Sequence, residues 1–144
     1  MRLVEVFIDT AYAIALSSPG DSHHQRAKEL ARQMQGDRTR LLTTSSVCVE
    51  IGDALAKLRF RQTATTLLRA LHDDANVEIV HVTEDLYSRA YQLYGERPDK
   101  EWGMTDCISF VVMQDRGLTH ALTTDSHFRQ AGLEALLLVD EGTT

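Results

Sequence analysis

Four carboxylates in this chain stand where carboxylates can do chemistry: Asp9, Glu50, Asp106 and Asp125. Asp9 closes the apolar run "LVEVFID" and Asp125 closes "THALTTD", so each occupies the carboxyl end of a predicted strand. In open α/β sheets, ligands bind beyond those ends. Glu50 lies in "SSVCVEIGDALAKL", where Val47, Ile51, Ala54, Leu55 and Leu58 form an apolar stripe at helical spacing. At about 100° per residue its carboxylate falls near the edge of that stripe and can reach inward. Asp106, in "MTDCISFVVM", falls in the first turn of a helix that is apolar on nearly every side, with Thr105 expected as its cap.

Each position also has an ordinary structural explanation, since aspartate favours turns, caps and the first turn of a helix. Gathering the four in one pocket would be a different matter. Two unit charges about 4 Å apart repel by about 4 kcal/mol at an effective dielectric of about 20, so convergent carboxylates are not retained for stability. A hard divalent cation relieves the repulsion, and oxygen donors suit Mg²⁺ or Mn²⁺. Such an ion acidifies a bound water and neutralises a departing oxygen, which is the chemistry of phosphodiester hydrolysis.

Histidine offers a competing metal site only weakly. His23 and His24 are adjacent and so point in different directions from a helix, with no third ligand at a convincing spacing. His127 follows Asp125 closely and is read either as a phosphate contact or, with Phe128, as a closure of the sheet end. Cys48 and Cys107 have no CxxC spacing and are expected as buried free thiols.

The elements that must position the acids follow from periodicity. Short β-prone runs at 3 to 9, 40 to 45, 77 to 82, 119 to 125 and 135 to 140 alternate with amphipathic segments at 22 to 35, 46 to 59, 61 to 73, 83 to 94 and 105 to 116. Shorter helical turns are expected near 11 to 17 and 126 to 131. Strand alternating with helix implies parallel strands joined by right-handed crossovers, with helices on both faces. The two prolines, Pro19 and Pro98, fall in "SSPGDS" and "GERPDKEWG", which read as loops.

At 144 residues the chain is long enough for one well-buried core and short for two domains. The expectation is a single domain over 1–144 in the cytoplasm, without a membrane span or a signal peptide. A net charge of −6, from 21 acidic and 15 basic residues, argues against coating nucleic acid by bulk electrostatics but leaves room for a local basic patch. Lys57, Arg59, Arg61 and Arg69 form one such cluster in "KLRFRQTATTLLRA", which is otherwise explained as a solvated helix face.

Taken together, "FIDTAYAIAL" with Asp9 and Thr10, "VEIGDALAKL" with Glu50, "WGMTDCISFVVM" with Asp106 and "ALTTDSHFRQAG" with Asp125, His127 and Phe128 resemble the PIN-domain ribonucleases, particularly the VapC-type toxins. The stretches occur in the family's order and span most of the chain, and the last two are the more specific. The resemblance implies a PIN-like three-layer sandwich with a central parallel sheet of about five strands flanked by helices. It also implies Asp9, Glu50, Asp106 and Asp125 around one or two Mg²⁺ or Mn²⁺ ions, an RNA substrate, a homodimer and an antitoxin protein. Within that site Asp9 and Asp106 are read as direct ligands, and Glu50 and Asp125 as ligands or water-positioning groups. Thr10, Thr124 and Ser126 hold the acids or act as local caps. Asp99, in the loop before Asp106, is a candidate accessory acid.

The function expected is therefore a metal-dependent ribonuclease acting as a toxin. Two alternatives remain, a non-catalytic module on the same fold and another metal-dependent phosphotransfer domain. The second lacks a DxD nucleophile motif or a Gly-rich phosphate loop. No motif names the RNA, because phosphate contacts position a strand without reading it.

Overall fold

The computed structural model describes residues 1–138. Five strands, β1 (Glu5–Ile8), β2 (Arg40–Thr44), β3 (Val77–Val80), β4 (His120–Leu122) and β5 (Glu134–Ala135), form one sheet in the order β3-β2-β1-β4-β5. Every neighbouring pair is parallel. The connections carry α1 (Thr10–Ser17), α2 (His24–Asp37), α3 (Ser45–Ala54), α4 (Leu58–Asp73), α5 (Glu84–Glu96), α6 (Met104–Arg116) and α7 (Ser126–Gln130).

Alternation along β1 sends its side chains into two cores. Val6 and Ile8 pack with Tyr12, Ala15, Leu30 and Met34 of α1 and α2, whereas Phe7 packs with Leu42, Ala121 and the buried residues of α3, α5 and α6. A central strand covered on both faces has to read as a nearly unbroken apolar run. Seven consecutive residues of α6, Cys107 to Met113, are buried, and the one polar member, Ser109, returns its hydroxyl to the carbonyl of Thr105 at 3.0 Å. The helix ends at Gly117, whose φ of 66° lets its N–H and that of Leu118 close onto Gln114 and Met113.

Phe128 anchors the far end of the sheet. It is fully buried, with ring centroids 5.0 Å from Phe110 and 6.5 Å from Phe7. Burying one such side chain contributes about 1.5–3 kcal/mol, and each well-placed ring pair about 0.5–1.5 kcal/mol more. α7 is only five residues long and depends on this anchor.

Three local expectations are corrected. The helix expected over 46 to 59 stops at Ala54, where Leu55 N–H closes onto Ile51, and α4 begins anew at Leu58. The buried stripe is accordingly Val47, Ile51 and Leu55, while Ala54 is exposed and Leu58 is 92% exposed. Gly103, not Thr105, caps α6, because the Asp106 carboxylate accepts the Gly103 N–H at 3.1 Å; Thr105 lies inside the first turn and pairs with Ser46 at 3.0 Å. Of the strand expected over 135 to 140, β5 (Glu134–Ala135) covers only Ala135, 136 to 138 are not strand, and residues 139 and 140 lie outside the described residues. The two cysteines are free thiols, with Cys107 buried and Cys48 half-buried.

Candidate active site

The sheet order makes β1 and β4 neighbours although most of the chain separates them. Strand order reverses direction there, and this is where a parallel sheet opens a crevice at its carboxyl edge. Asp9 leaves β1 at that edge, its N–H bound to the Leu122 carbonyl of β4 at 3.2 Å. Asp125 leaves β4 three residues after Leu122.

Asp9 is only 7% exposed. It holds the N-cap position of α1 yet makes no side-chain capping bond, so helix capping does not account for its carboxylate. Instead Oδ2 accepts the hydroxyl of fully buried Thr123 at 2.7 Å. Burial pushes the Asp9 carboxyl up to about 6; the Thr123 hydroxyl and the Thr10 N–H oppose this, and the charges of Glu50 and Asp106 add to it. Glu50 reaches the same region from α3, where Oε1 accepts the Thr10 hydroxyl at 2.5 Å.

Asp125 caps α7, accepting the His127 N–H at 2.9 Å, so the ordinary explanation is correct for part of its work. The His127 imidazole then folds back over the acids. Its Nδ1 lies 3.0 Å from Asp106 Oδ2 and 3.3 Å from Asp125 Oδ1. One donor atom each from Asp106, Asp125 and His127 lies within 4.8 Å of the others, a set of two oxygens and one nitrogen that suits a divalent cation.

The four sequence-predicted acids therefore meet in two parts. Asp106 and Asp125 share a cluster with His127, while Asp9 lies deeper, with Glu50 and Asp106 near enough for their charges to act on it. Asp99 does not join them. It is held outside by Arg97 at 3.0 and 3.1 Å and by Lys100 at 3.7 Å, and the hydrogen bond from Arg97 draws its carboxyl down to about 2. His24 is occupied elsewhere, its Nδ1 lying 2.7 Å from the Ala15 carbonyl.

Sequence reasoning misses two features of the site. The hydroxyl that supports the acids on β4 is that of Thr123, which binds Asp9 and also accepts the Asp125 N–H at 3.0 Å, whereas the sequence points to Thr124 and Ser126. For His127 the sequence suggests phosphate contact or sheet closure, and the structure makes it the neighbour of two carboxylates. The strand alternation in "ALTTD" is a usable signal for Thr123, since it puts Thr123 on the face of Ala121, which pairs with Phe7 two residues before Asp9.

The family model described as PIN domain matches residues 6–133. This chain belongs to the PIN-domain family. Among PIN proteins it is 28% identical over 127 residues to the 23S rRNA-specific endonuclease VapC20 of Mycobacterium tuberculosis, a match covering 88% of this chain and 94% of that protein. The crystal structure of VapC20, described as a sarcin-ricin loop cleaving toxin, superposes with a TM-score of 0.78 at 26% identity over 89% of this chain and 95% of that one. Two further solved structures share the fold at lower identity. VapBC2 from Rickettsia felis, bound to a promoter DNA fragment, gives a TM-score of 0.65 at 12% identity, covering 92% of this chain and 97% of that one. FitAcB from Neisseria gonorrhoeae gives 0.63 at 15%, covering 90% and 95%. The three-layer parallel α/β sandwich expected from sequence is thus the PIN architecture.

Proposed function

We propose that this PIN domain is a divalent-metal-dependent endoribonuclease and the toxin of a toxin–antitoxin pair. The observation that carries the reading is the meeting of Asp106 and Asp125 at the β1–β4 crevice with Asp9 and Glu50 close by, in a chain that matches a ribosomal-RNA endonuclease over nearly its whole length. Asp9, Glu50, Asp106 and Asp125 are assigned to hold Mg²⁺ or Mn²⁺. When bound, the ion supplies an acidified water and neutralises charge on the scissile phosphate.

The chain's own residues prepare that chemistry. Thr123 fixes one oxygen of Asp9 and the backbone of Asp125 together, so the ends of β1 and β4 cannot drift apart without breaking a buried hydrogen bond. Thr10 fixes Glu50 beside them. Around neutral pH, Asp9 is mostly ionised in a buried place that disfavours its charge, and a cation is the partner such a group lacks.

The substrate class proposed is ribosomal RNA, on the strength of VapC20. Lys57, Arg59, Arg61 and Arg69 lie in a stretch from 54 to 72 that contains no Asp or Glu, and they give a chain of net charge −6 a cationic surface for RNA beside the helix that carries Glu50. Incubating the pure protein with intact 23S rRNA and Mn²⁺, then sequencing the new RNA ends, tests the function. Discrete ends that disappear with Asp106→Asn are expected; no cleavage by the wild type, or the same ends with the variant, would reject it.

The antitoxin is assigned a surface that overlaps this segment. Between α1, α2 and α4 runs a cavity of about 440 Å³ lined by Tyr12, Leu16, Met34, Leu67 and Leu71, and none of the four acids lines it. We infer that α2 and the 46 to 73 segment receive an amphipathic peptide there, from which an arginine would reach the acids in place of the metal. Inhibition and Mn²⁺ affinity should then oppose each other, and unchanged affinity at saturating partner would reject the arginine plug. The homodimer and a cytoplasmic site of action belong to the same proposal. The exposed Val49 on α3 and Leu58 at the start of α4 support self-association, which light scattering on the pure chain tests. Among the described residues, no helix is long and apolar enough to cross a membrane.

A further inference from the structure

We propose that His127 is itself a ligand of the metal, so that the centre offers an imidazole nitrogen beside its carboxylates and takes a first-row transition ion such as Mn²⁺ in preference to Mg²⁺. The inference rests on the proposal that the acidic crevice holds a divalent cation, and it adds a donor that the four acids do not supply.

Placement comes first. His127 sits in the first turn of α7 between two fixed points, its N–H bound to Asp125 and its neighbour Phe128 fully buried against Phe7 and Phe110. The backbone therefore cannot withdraw the ring without lifting Phe128 from the core. From that position Nδ1 faces both Asp106 Oδ2 at 3.0 Å and Asp125 Oδ1 at 3.3 Å. A ring used only to hydrogen-bond one acid needs one acceptor, and here the same nitrogen meets two.

Spacing comes second. Adjacent donors in an octahedral shell with bonds of about 2.1 Å stand about 3 Å apart. The two nitrogen–oxygen separations are of that size. Among the described residues this is the single group of three metal-ligating side chains whose donor atoms converge, and its third member is the histidine rather than Asp9 or Glu50.

Donor chemistry then sets the preference. Mg²⁺ is a hard ion that favours oxygen and keeps its water, whereas imidazole nitrogen raises affinity for transition ions. A site built from oxygens alone has less reason to distinguish Mn²⁺ from Mg²⁺. Replacing His127 should therefore cost Mn²⁺ more than it costs Mg²⁺.

The test uses the full chain carrying ring-¹⁵N-labelled histidine, loaded with Mn²⁺ and read by pulsed electron paramagnetic resonance. A ¹⁵N coupling of the size of a directly bound imidazole is expected in the wild type and should disappear in His127→Asn. By titration, the variant should lose about 10- to 100-fold in Mn²⁺ affinity, taking the cost known for weakening a ligand shell as the lower guide, with a smaller loss for Mg²⁺. Bound Mn²⁺ without nitrogen coupling in the wild type would overturn the proposal whether or not the variant folds, as would equal losses for the two ions. Failure of the wild type to bind Mn²⁺ at all would instead strike the metal-centre reading itself.

Discussion

Thr123 donates its hydroxyl to Asp9 at 2.7 Å across the junction of β1 and β4. The two residues are 114 positions apart, and the same hydroxyl oxygen accepts the Asp125 N–H at 3.0 Å. Two acids from opposite ends of the chain are thereby referred to one buried atom. Thr123→Val keeps the shape and removes that atom, leaving a buried carboxylate oxygen and an amide without their partner. We expect a loss of about 1–3 kcal/mol in stability and a clear loss of cleavage, both largely restored by Thr123→Ser. Denaturant unfolding and initial rates on the same preparations check this, and a Thr123→Val enzyme with unchanged rates would remove Thr123 from the site.

Asp9 gives a pH signature. Its carboxyl is raised from 3.8 to about 6, so between these values the folded chain binds more protons than the unfolded one. Stability from this group is present below the unfolded value and is lost as pH rises through about 6, with a penalty of up to about 3 kcal/mol above it. In chelator, Asp9→Asn should be more stable than the wild type by about 2–3 kcal/mol near pH 7.5, and the gap should close near pH 4. At a fixed Mn²⁺ concentration the ion should stabilise the wild type more than the variant. A gap that does not vary with pH would deny the burial of charge at Asp9.

Asp106 has two duties, and Asn can keep only one. Its Oδ2 accepts the Gly103 N–H, a bond the Asn carbonyl can also accept, so Asp106→Asn should fold with a melting temperature within a few degrees of the wild type. Its negative charge cannot be replaced, and kcat should fall by roughly 10²-fold or more. Loss of folding would show that the cap was its main work.

Arg59 and Arg61 stand at the start of α4, with the Arg59 guanidinium 4.7 Å from the Phe60 ring centroid and Arg61 Nε bound to the Ala56 carbonyl. The double change Arg59→Ala and Arg61→Ala should weaken RNA binding and flatten the slope of log affinity against log salt by about 0.7 for each single-strand phosphate that is no longer neutralised. Mn²⁺ affinity should not move. Identical salt slopes would return these residues to an ordinary solvated face.

Much of the fold can be read along the chain because the periods are local. The run through Val6, Phe7 and Ile8, the wholly buried Cys107 to Met113 and the strand-helix alternation give an α/β sheet covered on both faces. Helix ends are less legible. "ALAKL" contains no Gly or Pro, so nothing in those residues marks the stop at Ala54, which follows from how Leu55 turns into the core.

For the site, sequence determined which residues carry charge and that Asp9 and Asp125 leave strands at their carboxyl ends. It also placed Asp106 in the first turn of its helix and Glu50 near an apolar edge. Only the tertiary structure decided that β1 lies beside β4, that Thr123 rather than Thr124 supports Asp9, and that His127 turns its ring onto Asp106 and Asp125 while Asp99 stays with Arg97. The physical reason is one of range. Hydrophobic period and capping act over a few residues and leave a pattern in the chain, whereas strand order is set by packing whole faces, and the partner of a side chain 114 positions away is chosen by that packing alone.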